Sequence, residues 1–129
     1  MLHSALLDIE LTNGNDGRGS KWFSSAKRRK EYAQKLIAWG HRRTPFEVPV
    51  RICVTRILGK GQRLWDVSSI GRGNFKEIED AIVEIGWLHD DGPAWVTSVE
   101  FKQHSSSRHI GPKTLIEVFA ANEGNSNAN

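Results

Sequence analysis

The segment from Asn74 to Gly86 constrains the fold most. Phe75, Ile78, Ile82 and Ile85 recur at spacings of three and four, which puts them on one stripe of a helix. Asn74 with Glu77 three residues on has the form of a capping box, and Gly86 suits the position just past a helix end. On both sides the apolar period changes to two. Val50, Ile52 and Val54 share one face of a strand predicted over 48–58, with Arg51, Cys53 and Thr55 on the other. Trp95 to Gln103 also alternates, with Trp95, Thr97, Val99 and Phe101 on one face. A helix between two strands, each with an apolar face, calls for helices packed on a sheet.

The rest of the chain fits that frame. Leu7, Ile9 and Leu11 alternate with Asp8 and Glu10, as in a half-buried strand. Residues 12–20 (TNGNDGRGS) are turn chemistry. Tyr32, Leu36 and Trp39, with Ala33 and Ile37 beside them, predict a helix over 24–39 that Gly40 ends. Arg63 to Asp66 reads as a short extended piece, 68–73 as a loop, 104–112 as a hairpin-like loop, and 115–121 as the last strand. The expectation is an α/β (α+β) domain over 1–121, a single mixed sheet with two helices packed on it. Residues 122–129 form a polar tail with nothing to bury.

Several classes are set aside. A chain of 129 residues suits one domain, and 38% hydrophobic with 26% charged residues is ordinary for a folded one. No apolar run reaches the ~18–20 residues of a membrane span. Asp8 interrupts the apolar start, so no secretory signal is expected and a cytoplasmic setting is. One cysteine, Cys53, allows neither an internal disulfide nor a multi-cysteine zinc site, and mid-strand it reads as a small core residue. His3, His41, His89, His104 and His109 have no metal-ligand spacing. Neither a phosphate-binding glycine loop nor a nucleophile elbow is present.

Charge is partitioned. Residues 1–60 hold 12 Lys/Arg and 5 Asp/Glu, and residues 61–129 hold 6 and 10, so +7 and −4 make the net +3. Such a split suits a polyanion on one half and something electropositive on the other, although two solvated faces can differ by chance. The basic half concentrates Arg18, Lys21, Lys27, Arg28, Arg29 and Lys30 around Trp22 and Phe23. Cations neutralise phosphates and aromatic rings stack on bases; a solvated helix face with Trp22 and Phe23 in the core is the competing reading.

The acidic half offers Asp66, Asp80, Asp90 and Asp91, with Lys76 four residues before Asp80 on one helix face. The chain from Gly86 to Asp91 can return ~16 Å, about the length of the helix, so the acids can meet at one flank. Oxygen ligands of this kind suit Mg²⁺ or Mn²⁺, which activate water and bridge to phosphate. A surface helix pair worth ~0.3–0.5 kcal/mol and an ordinary turn explain the same residues blandly.

The order Arg63-Leu-Trp-Asp66, Lys76-x-x-x-Asp80-Ala81 and Gly86-Trp-Leu-His-Asp90-Asp91-Gly-Pro93 resembles the RusA-type Holliday junction resolvases, over roughly residues 4–120. That family carries an Asp-x-Asp-Asn motif, a Lys four residues before an Asp-Ala pair, a Gly and a double Asp. The resemblance implies a homodimeric, Mg²⁺-dependent endonuclease (Mn²⁺ as a substitute) that makes paired nicks in four-way DNA junctions. It implies Asp66 and Asp91 as metal ligands, Lys76 near the scissile phosphate, and Asp80 (also a candidate ligand) and Asp90 in support. It implies DNA contacts from the basic N-terminal loop and helix. Ser68 stands where the family has the second acid of its motif, which weakens the expected metal site.

Overall fold

The computed structural model describes residues 1–13 and 22–122. Seven elements follow in order: β1 (His3–Leu7), α1 (Trp22–Ala38), β2 (Val50–Ile57), α2 (Val67–Ile70), α3 (Phe75–Glu84), β3 (Val96–His104) and β4 (Lys113–Ala120). The strands form one mixed sheet in the order β1-β4-β2-β3. β4 pairs antiparallel with β1 and β2, while β2 and β3 run parallel, joined by the α2–α3 crossover. The fold is α+β, as the periodicities predict.

One face of the sheet carries the core. Ala5, Leu7, Val50, Ile52, Val54, Ile116 and Val118 meet Ala33 and Leu36 of α1 and Phe75, Ile78, Ala81 and Ile82 of α3. Each stripe residue predicted for α3 is buried, Ile85 included. Gly86 ends that helix at φ +102°, a conformation L side chains disfavour. Its Cα also faces the Arg43 carbonyl so closely that a Cβ would overlap it. Among the described residues, the opposite face of the sheet carries no helix of the core cluster. There Leu6 is exposed, and the Arg51 guanidinium lies over the Phe119 ring at 4.8 Å.

Local differences from the sequence reading have physical reasons. Strand β1 occupies 3–7, and Ile9 and Leu11 stay buried although they lie beyond it. Arg63–Asp66 is no strand. It is held by side chains: Gln103 pairs with both the N–H and the C=O of Trp65, at 2.9 and 2.7 Å. Residues 67–70 form a one-turn helix rather than a loop. In β3 the predicted face breaks at Thr97, because the register against β2 slips between Val50 and Arg51. Val96, Val99 and Phe101 pack on the core instead, and Thr97 is exposed. Trp39 and Ile37 are each 41% exposed, so the α1 stripe runs through Ala33 and Leu36. Cys53 is buried between its register neighbours Glu100 and Glu117, and burial pushes its thiol pKa up. The polar tail from Glu123 lies outside the described residues.

Candidate acidic site and basic surfaces

Asn74 sits at the N-cap position of α3, yet it makes no side-chain cap bond. Its side chain reaches across the fold. Its Oδ1 accepts from the Thr12 N–H at 2.9 Å, and its Nδ2 donates to the Glu10 carbonyl and the Tyr32 hydroxyl, each at 2.9 Å. Glu77 does not close a capping box either. It is 8% exposed, accepts from the Ser25 hydroxyl at 2.7 Å, and lies 3.6 Å from Arg28. These contacts lock the start of α3 to the N-terminal strand extension and to α1, which fixes where Lys76 stands. Gly73 belongs to the same junction: a Cβ there would overlap the Thr12 carbonyl.

Lys76 is the hub of the candidate site. Its ammonium lies 2.5 Å from Asp91, 3.2 Å from Asp80 and 3.6 Å from Glu79. The Gly86–Asp91 return therefore brings Asp91 back to the first turn of α3, as its length allows. Because both oxygens lie close to one nitrogen, those of Asp80 and Asp91 are no more than 5.7 Å apart. The hydrogen bond to Asp91 raises the Lys76 pKa far above its usual value, so the lysine is cationic at any physiological pH. The same bond holds Asp91 below the usual carboxylate range. Glu79 is the acid that sequence spacing overlooked. Its side chain is 13% exposed, and burial raises its pKa against the pull of Lys76. The three-residue step from Lys76 was the signal that could have found it.

Other expected site residues stand elsewhere. Asp66 precedes α2, its backbone carbonyl accepting from Ser69, and its exposed side chain joins neither Lys76 nor the acids around it. Ser68 is exposed on α2. Asp90 accepts from the Gly92 N–H at 2.6 Å, so it shapes the turn beside Asp91. Among the described residues no three His, Cys, Asp or Glu side chains gather into a metal-holding group. The donor chemistry nonetheless suits a hard cation: Asp80 and Asp91 are partly exposed carboxylates that already share one cationic group, the Lys76 ammonium.

The basic surface is divided. Arg18 and Lys21 lie outside the described residues, and Trp22 opens α1. Arg28 turns to Glu77, and Arg29 approaches Glu84 at 3.9 Å. Lys27 and Lys30 are exposed. His89 packs against the Trp95 ring at 4.5 Å, with Nε2 3.4 Å from Glu47. No helix among the described residues is long and apolar enough to cross a membrane. No protein-family model and no curated protein sequence matches the chain.

Proposed function

We propose that the chain is a RusA-like endonuclease directed at branched, four-way DNA junctions, acting as a homodimer with Mg²⁺ or Mn²⁺. The observation that supports this reading is the gathering of Asp80 and Asp91 on Lys76 at the start of α3. Asp80 and Asp91 would hold the cation; Asp66, a ligand by the resemblance, stands apart from them ahead of α2. A divalent cation bound there supplies Lewis acidity toward a phosphodiester and an acidified water. Lys76, permanently charged, turns from Asp91 to a non-bridging phosphate oxygen and offsets the charge that builds on phosphorus. Glu79, whose burial raises its carboxyl pKa, lies with Oε1 3.6 Å from that ammonium and helps to position it. Paired nicks need two such sites related by a two-fold axis, which a homodimer provides.

The test is nicking of a synthetic four-way junction with Mg²⁺ or Mn²⁺, comparing wild type with Asp91→Asn and Lys76→Met. Each variant should lose about 10²–10³ in rate, as expected for a group acting on transition-state charge. Wild-type cleavage matched by Asp91→Asn would remove this site from the chemistry.

A second reading is a protein that binds branched DNA without cutting it. Two observations favour it. Asp66 stands apart from the Lys76 cluster. Ser68, which stands where the resembled family has its second acid, is an uncharged side chain exposed on α2. Tight junction binding with no nicking, and no gain from Ser68→Asp, would select this reading. Strong gain from Ser68→Asp would mark an attenuated nuclease instead.

A further inference from the structure

The end of the sheet where β2 and β3 finish carries a second basic surface, distinct from the N-terminal one. From Phe101 to Ile116 the chain has Lys102, Arg108 and Lys113, plus His104 and His109, and no acid. Arg108 joins this loop to the turn after β2: its Nη1 donates to the carbonyls of Gly59 and Gln62, each at 2.7 Å. That clamp brings Lys60 and Arg63, both exposed, to the same end. Arg56 fixes Arg63 from below, donating to its carbonyl at 2.9 Å while lying over the Trp65 ring at 3.4 Å. Asp8 and Glu10 counter the charge at the clamp: Asp8 is taken by Lys113 at 3.2 Å and Glu10 accepts from Gln62 at 2.7 Å. Glu100, two residues before Lys102 on the same face of β3, and Glu117 in register across β2 lie further from the loop.

Beside the clamp, on the side of the sheet away from α1 and α3, lies a cavity of about 350 Å³ with Ile57 and Leu115 in its lining and Lys102, His104 and Ser107 among its polar residues. Its lining is mostly apolar, with the donors of Lys102 and Ser107 among its polar groups and no carboxylate. His104 and Ser107 bond each other at 2.9 Å, which orders the loop rim. Backbone turns fixed by the partly exposed Arg108 and the buried Arg56, and topped by exposed cations, suit a repeating polyanion. They suit it better than a single anion, which would need only one such point.

We infer that Lys60, Arg63, Lys102 and the β3–β4 loop form a phosphate-backbone contact surface for nucleic acid. It would seat a DNA arm, and it rests on the proposed DNA-directed function without depending on cleavage. The contacts are electrostatic and independent of base sequence.

The experiment measures binding of a four-way junction and of plain duplex in EDTA, across a range of salt, for wild type, Lys60→Ala/Lys102→Ala and Lys60→Arg/Lys102→Arg. Each phosphate contact contributes a slope of about −0.9 in log K against log salt. The alanine pair should therefore flatten the slope by about 2 and weaken binding about 60-fold at ~0.1 M salt, for both DNAs alike. The arginine pair should restore wild-type binding. Unchanged slope and affinity in the alanine pair would overturn the inference, as would a wild type that binds no DNA at low salt. A wild type that binds through these lysines but never nicks would instead defeat only the nuclease reading. Both lysines are exposed, so circular dichroism should report an unchanged fold.

Discussion

Replacing Asn74 separates two accounts of how α3 is anchored. If Asn74 were a helix cap, Ser or Asp would serve in its place, and Ala would cost about 1 kcal/mol. The structure instead gives its amide three bonds to residues at positions 10, 12 and 32, in a side chain only 5% exposed. At about 1 kcal/mol net per bond, Asn74→Ala should cost about 3 kcal/mol. Stranding the Thr12 N–H and the Glu10 carbonyl adds to that wherever water cannot reach them. Asn74→Asp keeps the acceptor for Thr12 but sets a carboxylate against the Glu10 carbonyl, so it should not rescue. Asn74→Ser is too short to reach Tyr32 and Glu10 together. For a chain of 129 residues, ~3 kcal/mol corresponds to a fall in Tm of roughly 10 °C. Urea and thermal unfolding of the four proteins measure this directly. A serine variant as stable as wild type, with alanine losing only about 1 kcal/mol, would refute the tether and restore the cap.

Other consequences can be checked on the same material. Gly86→Ala should destabilise by ~1–2 kcal/mol from its backbone conformation alone, and by more because the new Cβ displaces the Arg43 carbonyl; equilibrium unfolding reports it. His3 has its pKa lowered by burial, then by Arg43 and His41, and its Nε2 is buried without a partner. The unfolded chain therefore binds a proton there more readily. The stability His3 contributes is present above its unfolded pKa of about 6.5 and is lost as pH falls from there toward the folded pKa. His3→Phe should flatten that part of the stability–pH curve, and an unchanged slope would count against the assignment. Arg56→Met should leave the core intact but release Arg63 to Asp66, seen as faster hydrogen exchange at Trp65. Asp91, held low by Lys76, stabilises the fold above the usual carboxylate pKa and loses that contribution as pH falls through its depressed value. Lys76→Met should remove this acid-limb dependence.

Local patterns carried most of the fold, since helix and strand periods are properties of neighbouring residues. The α3 stripe, the faces of β2 and the return of Asp91 to Lys76 were all legible from spacing. What failed depended on distant partners. Asn74 and Glu77 spell a capping box locally, but their side chains are claimed by residues 42 to 64 positions away in one case and by Ser25 and Arg28 in the other. The β3 face was misassigned at Thr97 because a register slip against β2 leaves no mark in either strand alone. Asp66 looked like a partner of Asp91 by order in the chain, yet α2 and the turn after it intervene. Glu79 stands one helical step from Lys76, a spacing that points to it, but the burial that raises its pKa is set by tertiary packing.

The crowding at Gly73 bears on how this chain can change over generations. Any side chain there meets the Thr12 carbonyl, and the neighbouring Asn74 holds that same stretch in place. A carboxylate at position 73 is thus unreachable by one substitution without first moving residues 10–12. Position 68, exposed on α2, has no such barrier. Position 68 therefore tolerates substitution that position 73 does not, and the segment ahead of α3 is free to vary at its start and fixed at its end.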